Sequence, residues 1–297
     1  MSGPVSEAQG VKLVSLGTAQ DGGVPQAGCW CPTCRLARRA PRRAARLPAC
    51  LGLIDSGGGV AFLVDATPDF PEQLERLQGS PRPQPRLSGV ILTHAHIGHY
   101  AGLMYLGREV MGARGLPVWC TPDMAGFLRE NAPWSQLVRL GNVDLRPEVM
   151  PGRPFSPSAR LTLTAFPVPH RNEFADTVAY RLDGPTGRAL YVPDIDRWDL
   201  WSRSVAAEVS QVDLAILDGT FYSVEELTSR GRDPKEVPHP PITETMDRLQ
   251  TAVEVGAQVF FTHLNHTNPV LRKDSPERAA VENRGFHILD EGAVFRL

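Results

Sequence analysis

The sequence lacks any apolar run near the roughly 20 residues that a membrane-spanning helix requires. It has no basic segment followed by an apolar run near its start, no internal repeat, and no Ser-, Gly- or Gln-rich linker. We therefore expect a single domain over residues 1–297, located in the cytoplasm and without a membrane partner. We expect residues 1–10 to form a flexible start.

Aromatic residues are scarce, at 7%, and the formal net charge is only -2. Proteins that bind nucleic acids usually carry a basic surface, often with aromatic side chains that stack on bases. No stretch of this chain combines the two features, so we expect no nucleic-acid partner. The hydrophobic content of 42% over 297 residues is enough for a large core. For the oligomeric state, the sequence is compatible with a homodimer.

Three of the five cysteines, Cys29, Cys31 and Cys34, lie within six positions of one another. Disulfides are rarely maintained in the cytoplasm, and closely spaced thiols are typical of a zinc site there. Free or redox-active cysteines are the alternative interpretation. The remaining two, Cys50 and Cys120, lie in apolar runs and are predicted to be ordinary buried residues.

Histidine occurs only eight times, yet His94, His96 and His99 fall within six residues. They follow an apolar run, Leu87 to Leu92, and precede residues with helical spacing from Tyr100 onward. We predict a turn from a strand into an amphipathic helix, at which the imidazoles can converge on one metal ion. Zinc is typical of such a ligand set, and iron or manganese accept it too.

Further along the chain, one predicted strand after another ends in a side chain of the metal-binding type. In α/β proteins, ligands gather at the carboxyl ends of strands. We therefore predict one cluster that contains His94, His170, Asp194, Asp218 and His263. Within it, the Asp218 carboxylate is a candidate to hydrogen-bond a metal-bound imidazole.

Three further residues, Asp196, His239 and His266, have the side chains of a metal site but lie outside the predicted cluster. Asp196 precedes a helix predicted to start near Arg197, so we interpret it as a helix cap. His239 lies between two prolines and is either a loop residue or a residue that binds substrate. His266 lies too close to His263 for both to enter one site easily. We predict that it completes a structural zinc site with Cys29, Cys31 and Cys34, which would tie the amino-terminal loop to the last strand of the site.

The histidine segment resembles the HxHxDH signature of the metallo-β-lactamase superfamily, except that Gly98 stands where the signature has aspartate. The resemblance implies an α/β fold of the four-layer αβ/βα sandwich type. It implies one metal ion held by His94, His96 and His170 and a second held by His99 and His263, with Asp194 bridging the two. Because Gly98 removes one ligand from the second metal, we expect Gly98→Asp to strengthen binding there.

Over its length the chain looks most like the coenzyme PQQ synthesis protein B family, in the segments Gly17 to Cys34, Leu217 to Tyr222, Val237 to Met246 and Thr262 to Arg278. Its cysteine motif is similar to the structural zinc site of the phosphonate-pathway cyclic phosphodiesterases. It departs from the PQQ family in having all three histidines of the first motif and in having His266 in place of asparagine.

These resemblances imply a metal-dependent hydrolase that uses a metal-bound hydroxide on a phosphodiester or similar ester of a small molecule or modified peptide. Asp194 and Asp218 are then the catalytic candidates. The implied cofactors are one or two divalent ions, with zinc favoured over iron or manganese, and one structural zinc. Two alternatives stay open: an iron-dependent oxidative step in the biosynthesis of PQQ or a related peptide-derived cofactor, and a non-catalytic metal-binding protein.

Overall fold

The computed structural model describes residues 10–79 and 85–297. The predicted flexible start falls almost entirely on residues 1–9, which lie outside the described residues. Two seven-stranded sheets lie at the centre of the fold. In each sheet one half is antiparallel and the other half is parallel, and the parallel strands direct their carboxyl ends toward the site described below.

The first sheet is antiparallel as far as its fourth strand in space and parallel beyond it, because helical connections return the chain between the later strands. Ser56 to Gly59 connect β2 and β3 as a tight antiparallel hairpin. In spatial order the strands are β14 (Val294–Arg296), β1 (Val11–Gly17), β2 (Cys50–Asp55), β3 (Val60–Val64), β4 (Arg86–Ile91), β5 (Leu116–Trp119) and β6 (Val143–Arg146).

The second sheet has the same mixed arrangement, with three parallel pairings followed by three antiparallel ones. In spatial order its strands are β13 (His287–Ile288), β12 (Gln258–Thr262), β11 (Leu214–Asp218), β10 (Arg188–Val192), β9 (Val178–Asp183), β8 (Leu161–Pro167) and β7 (Pro154–Ser158).

The helices are short, and several begin with proline in the first turn, where its missing N–H costs nothing. Thr121 caps the helix that follows it, since its Oγ1 accepts a hydrogen bond from the Met124 N–H at 3.2 Å. The helices are α1 (Pro32–Arg39), α2 (Pro41–Ala44), α3 (Phe70–Gln78), α4 (Ile97–Tyr100), α5 (Pro122–Glu130), α6 (Trp134–Arg139), α7 (Val205–Val209), α8 (Val224–Thr228), α9 (Ile242–Glu254) and α10 (Pro276–Asn283).

The core has three apolar layers. Residues such as Phe62, Tyr180 and Tyr191 fill the space between the two sheets, and separate clusters join each sheet to its own helices. Helix, sheet, sheet and helix therefore stack as four layers, which confirms the predicted αβ/βα sandwich. Among the described helices, none is long and apolar enough to cross a membrane.

The prediction of an amphipathic α-helix from Tyr100 onward is wrong. The single turn of α4 is followed by a 3-10 helix over Ala101–Leu106. The Gly102 N–H bonds the Ala66 carbonyl, and a Cβ on Gly102 would lie only 2.0 Å from the Thr67 carbonyl oxygen. Close packing against the chain that follows β3 therefore overrides the helical spacing of the apolar residues.

Candidate metal centre

The first set of metal-type side chains lies where β4, β8 and β10 end. The Asp194 carboxylate is central to it, with Oδ2 lying 3.5 Å from His94 Nε2, 3.1 Å from His170 Nε2 and 4.0 Å from His96 Nδ1. One ligand atom from each of these four residues lies within 4.8 Å of the others, so the set could hold one metal ion.

The second set surrounds His263, at the end of β12. His263 Nε2 lies 3.6 Å from Asp194 Oδ2 and 3.7 Å from Asp21 Oδ1, and the same Asp21 oxygen lies 3.3 Å from His99 Nε2. The resemblance implies that His99 and His263 share an ion with Asp194, whereas the structure brings His99 together with His263 and Asp21. Asp21 was missed, because nothing in its Gly-rich loop indicates where the loop returns in space.

Four of the histidines are oriented by polar partners on the far side of the ring. These partners lie at Nδ1, which leaves Nε2 facing the centre, the usual arrangement around a metal-bound imidazole. The pairs are His94 with Thr93 Oγ1 at 2.9 Å, His99 with Asp65 Oδ2 at 2.7 Å, His170 with Asp196 Oδ1 at 2.7 Å and His263 with Thr220 Oγ1 at 2.8 Å.

The interpretation of Asp196 as a helix cap is wrong. The 3-10 helix Trp198–Leu200 that follows has Arg197 at its N-cap position and no side-chain capping bond. The Asp196 carboxylate instead accepts the His170 Nδ1 hydrogen bond. Asp65 was missed altogether, although it follows β3 directly and the strand-end argument applies to it as well.

Asp218 is buried and uses both oxygens within the protein. Oδ2 accepts from the Ile195 N–H at 3.1 Å and from His239 Nδ1 at 2.8 Å, and Oδ1 accepts from the Thr220 backbone and hydroxyl. These contacts are those of a positioning residue, and the catalytic role remains a prediction. His239 Nδ1 also lies 3.4 Å from Asp194 Oδ1, so His239 belongs to the centre and its ring is largely buried.

Backbone strain is concentrated at the same place. Among the described residues, only Asp65 and His263 combine a side chain with a positive φ, at 71° and 59°. Such a conformation is uncommon for residues other than glycine and persists where the surrounding structure enforces it. His263 is a member of the centre, and Asp65 accepts the hydrogen bond of His99 Nδ1, so both residues belong to the site or to its support.

A divalent cation fits these residues. Within residues 10–79 and 85–297, four buried polar atoms of the centre have no hydrogen-bond partner: Asp21 Oδ1, His94 Nε2, Asp194 Oδ1 and His263 Nε2. A buried polar atom left without a partner costs about 1–3 kcal/mol. Carboxylate oxygens and imidazole nitrogens are the ligands that zinc, manganese and iron accept, so a metal ion would satisfy these atoms together.

The charges of the centre are mutually dependent. Burial by itself raises the pKa of Asp194, but the surrounding histidines, His170 foremost, hold it well below the ordinary value. Burial lowers the pKa of His94 well below its usual range, with the neighbouring His99 adding to the effect, so His94 stays neutral as a metal ligand must. Burial also lowers the pKa of His170, but Asp194 and Asp196 outweigh it and raise the value to about 10.

The cysteine group, defined as Cys29, Cys31, Cys34 and His266, is assembled as predicted in space. The three sulfurs lie 3.5, 3.6 and 3.5 Å from His266 Nδ1. A tetrahedral zinc with Zn–S of about 2.3 Å and Zn–N of about 2.0 Å would place each sulfur about 3.5 Å from the nitrogen. The geometry therefore fits zinc. The cysteine group and the metal centre together contain seven of the eight histidines, and His287 is the one that belongs to neither.

Gly98 has no room for a side chain. A Cβ built on it would lie 2.1 Å from Asp21 Oδ1 and 2.7 Å from Asp21 Cα. The expectation that Gly98→Asp strengthens metal binding requires room for a side chain, and the unaltered chain has none, because the new carboxylate would collide with the one that is already there.

The fold and the two metal-type sites define a protein of the metallo-β-lactamase fold with a candidate metal centre. The chain belongs to the β-lactamase superfamily, since the sequence model of the family described as Beta-lactamase superfamily domain matches residues 61–280. Its relatives include Coenzyme PQQ synthesis protein B of Methylobacterium radiotolerans, 31% identical over 97% of this chain and 100% of the relative. The same protein of Cupriavidus necator is 31% identical over 95% and 98%.

Two solved structures agree with this assignment. Zn(2+)-bound PqqB from Methylobacterium extorquens superposes with a TM-score of 0.82 at 25% identity, over 96% of this chain and 100% of that one. A diphosphatase from the PhnP family shares the fold, with a TM-score of 0.66 at 20% identity over 97% of both chains. The resemblances inferred from the sequence are confirmed.

The central position of Asp194 gives a first prediction. Asp194→Asn should sharply reduce the metal bound at the centre, because it removes the charge that both sets share, while the cysteine group keeps its ion. Elemental analysis after dialysis measures this. Asp123→Asn, at an exposed aspartate of α5, is the matched control and should keep full metal content and stability within about 0.5 kcal/mol. Unchanged metal content in the Asp194 variant would contradict the assignment.

A second prediction concerns the cysteine group. Cys31→Ser should remove one metal equivalent and lower the free energy of unfolding by several kcal/mol, because structural zinc contributes its binding energy to folding. Thermal unfolding and a colorimetric zinc assay measure the two effects. Cys120→Ala, which removes a buried thiol outside the group, should destabilise without any loss of metal. Equal metal content in the two variants would refute a zinc site here.

Proposed function

We propose that the protein hydrolyses a phosphodiester or similar ester of a small molecule or modified peptide. The observation that carries the proposal is the position of the Asp194 carboxylate between two sets of histidines. A shared carboxylate suits a pair of cations, and paired cations are a common means of cleaving phosphate esters.

His94, His96 and His170 would hold one ion, His99 and His263 would hold the other, and Asp194 would contact both. Bound there, divalent ions supply Lewis acidity toward a water molecule and a phosphoryl oxygen. The chain itself supplies orientation. Each ligating ring except that of His96 is fixed through Nδ1, and the His96 ring is placed between His170 Nε2 at 3.0 Å and Glu173 at 3.2 Å.

A cavity of ≈ 430 Å³ beside the centre supports a substrate of modest size. Its wall includes Asp196, which is bonded to His170, and His239, which is bonded to Asp218, so the cavity borders the residues that support the centre. Three cationic side chains also line it. Arg197 pairs with Asp199 at 2.6 Å and Arg248 pairs with Glu244 at 2.9 Å, whereas Lys235 forms no ion pair within the described part of the chain.

Lys235 is thus the cation best placed to contact a phosphate oxygen, and His239 is the candidate to contact the reacting end of the substrate. An ammonium group at the cavity wall favours an anionic substrate without taking part in bond cleavage. Loss of a residue that only binds the substrate raises KM, whereas loss of a residue that takes part in the reaction lowers kcat, so the kinetic constants distinguish the two roles.

The test is hydrolysis of a chromogenic phosphodiester by zinc- or manganese-loaded protein. We expect turnover that is abolished by a chelator and restored by metal, and a loss of at least about 100-fold in kcat/KM for Asp194→Asn. Lys235→Met should raise KM about tenfold with little change in kcat, whereas Lys273→Met, at an exposed lysine away from the cavity, should change neither. Undiminished activity in the Asp194 variant would refute the proposal.

A second candidate function is an iron-dependent oxidative step on a modified peptide. The observation that favours it is the set formed by Asp21, His99 and His263, since two histidines and one carboxylate are typical of non-haem iron that activates oxygen. The relatives named Coenzyme PQQ synthesis protein B support a role in cofactor biosynthesis. Oxygen uptake by the iron-loaded protein, with no hydrolysis by the zinc-loaded protein, would favour this function over the first.

A further inference from the structure

Asp21 reaches the candidate centre from a part of the chain that the histidine signature does not include. It lies in the loop between β1 and α1, and its side chain is 18% exposed. Its Oδ1 has no hydrogen-bond partner in the described structure but lies 3.3 Å from His99 Nε2 and 3.7 Å from His263 Nε2, of which the His263 atom is likewise without a partner. The carboxylate is therefore directed at the point where the two imidazoles converge.

The position of Asp21 accounts for the glycine in the signature. The Cβ of any other residue at position 98 would lie 2.1 Å from Asp21 Oδ1 and 2.7 Å from Asp21 Cγ. The Asp21 carboxylate thus occupies the space into which a side chain at position 98 would begin to project. The two positions exclude each other, since the site has room for a carboxylate from one of them only.

The backbone holds Asp21 in this place. The Gln20 N–H bonds the Leu264 carbonyl at 3.0 Å, and the Leu264 N–H bonds the Thr18 carbonyl at 2.8 Å. These two bonds join the segment before Asp21 to the residue directly after His263. Farther along the same two segments, Cys29, Cys31 and Cys34 lie beside His266, which gives a second contact between them. Asp21 is therefore held between two attachments and not on a free loop.

We propose that Asp21 is the carboxylate ligand of the second metal ion, supplied from the amino-terminal loop in place of the aspartate that Gly98 lacks. With His99 and His263 it gives that ion two imidazoles and one carboxylate, in addition to the shared Asp194. The inference rests on the metal centre of the proposed function, but it concerns metal binding and is independent of the reaction catalysed.

The test is an exchange of the two positions. Four proteins are compared: the unaltered chain, Asp21→Gly, Gly98→Asp and the double variant. Zn²⁺ and Mn²⁺ affinity and stoichiometry are measured by titration calorimetry, and the electron paramagnetic resonance spectrum of bound Mn²⁺ reports whether two ions lie close together. No substrate is needed, so the outcome does not depend on the hydrolysis assay.

Asp21→Gly should weaken the second ion at least about tenfold and leave the first ion and the cysteine group unchanged. Gly98→Asp should also weaken it, because two side chains compete for one space. The double variant should bind the second ion more tightly than Gly98→Asp alone, since the contact with the Asp21 carboxylate is gone and only the 2.7 Å approach to the Cα of residue 21 has to be relieved. Gln20→Ala, beside Asp21, controls for disturbance of the loop and should have no effect.

Additive losses in the double variant would overturn the proposal, and so would an unaltered second ion in Asp21→Gly. A parent protein that binds a single ion at the centre, with no change on removing Asp21, would overturn it as well. If Gly98→Asp fails to fold, Asp21→Asn decides alone, because it keeps the size of the side chain and should still lose the second ion. A parent that binds both ions but hydrolyses nothing would count against the proposed function only.

Discussion

The structure depends on one buried negative charge. The Asp194 side chain is only 3% exposed, and within the described residues its charged neighbours are imidazoles, with no lysine or arginine within 4.0 Å. An isolated carboxylate cannot be buried in this way without a large free-energy cost, so cationic compensation is built into the site. Protons on the histidines give part of it, and metal ions with their double charge would give more.

The fold meets this requirement by directing strand ends from both sheets at one point. His94 follows β4 of the first sheet, whereas Asp194, Asp218 and His263 come from β10, β11 and β12 of the second. The helices lie on the outside, so the carboxyl ends of the strands remain open to ligands. The backbone bonds between Thr18, Gln20 and Leu264 then join the two metal-type sites, so that an ion in the cysteine group also stabilises the loop that carries Asp21.

Most of the site could be predicted because its residues end predictable strands or lie close together in the chain. Three histidines in six positions, and three cysteines in six, are local patterns whose chemistry is specific. The errors occur where local pattern and tertiary environment disagree. Asp196 has the position of a helix cap but is bonded to His170, and the apolar spacing after Tyr100 indicates an α-helix where contact with residues 66 and 67 produces a 3-10 helix.

The sequence by itself determined most of the strands and the ligand types of both metal sites, because these follow from periodicity and short spacings, and its motifs determined the resemblance to the superfamily. Only the tertiary structure decided which carboxylate accompanies His99. Asp21 is remote from His99 and from His263 in the chain, and their meeting depends on backbone bonds between two loops that no local pattern specifies. The sequence shows Gly98 as a missing ligand; the fold shows it as the space that the Asp21 carboxylate requires.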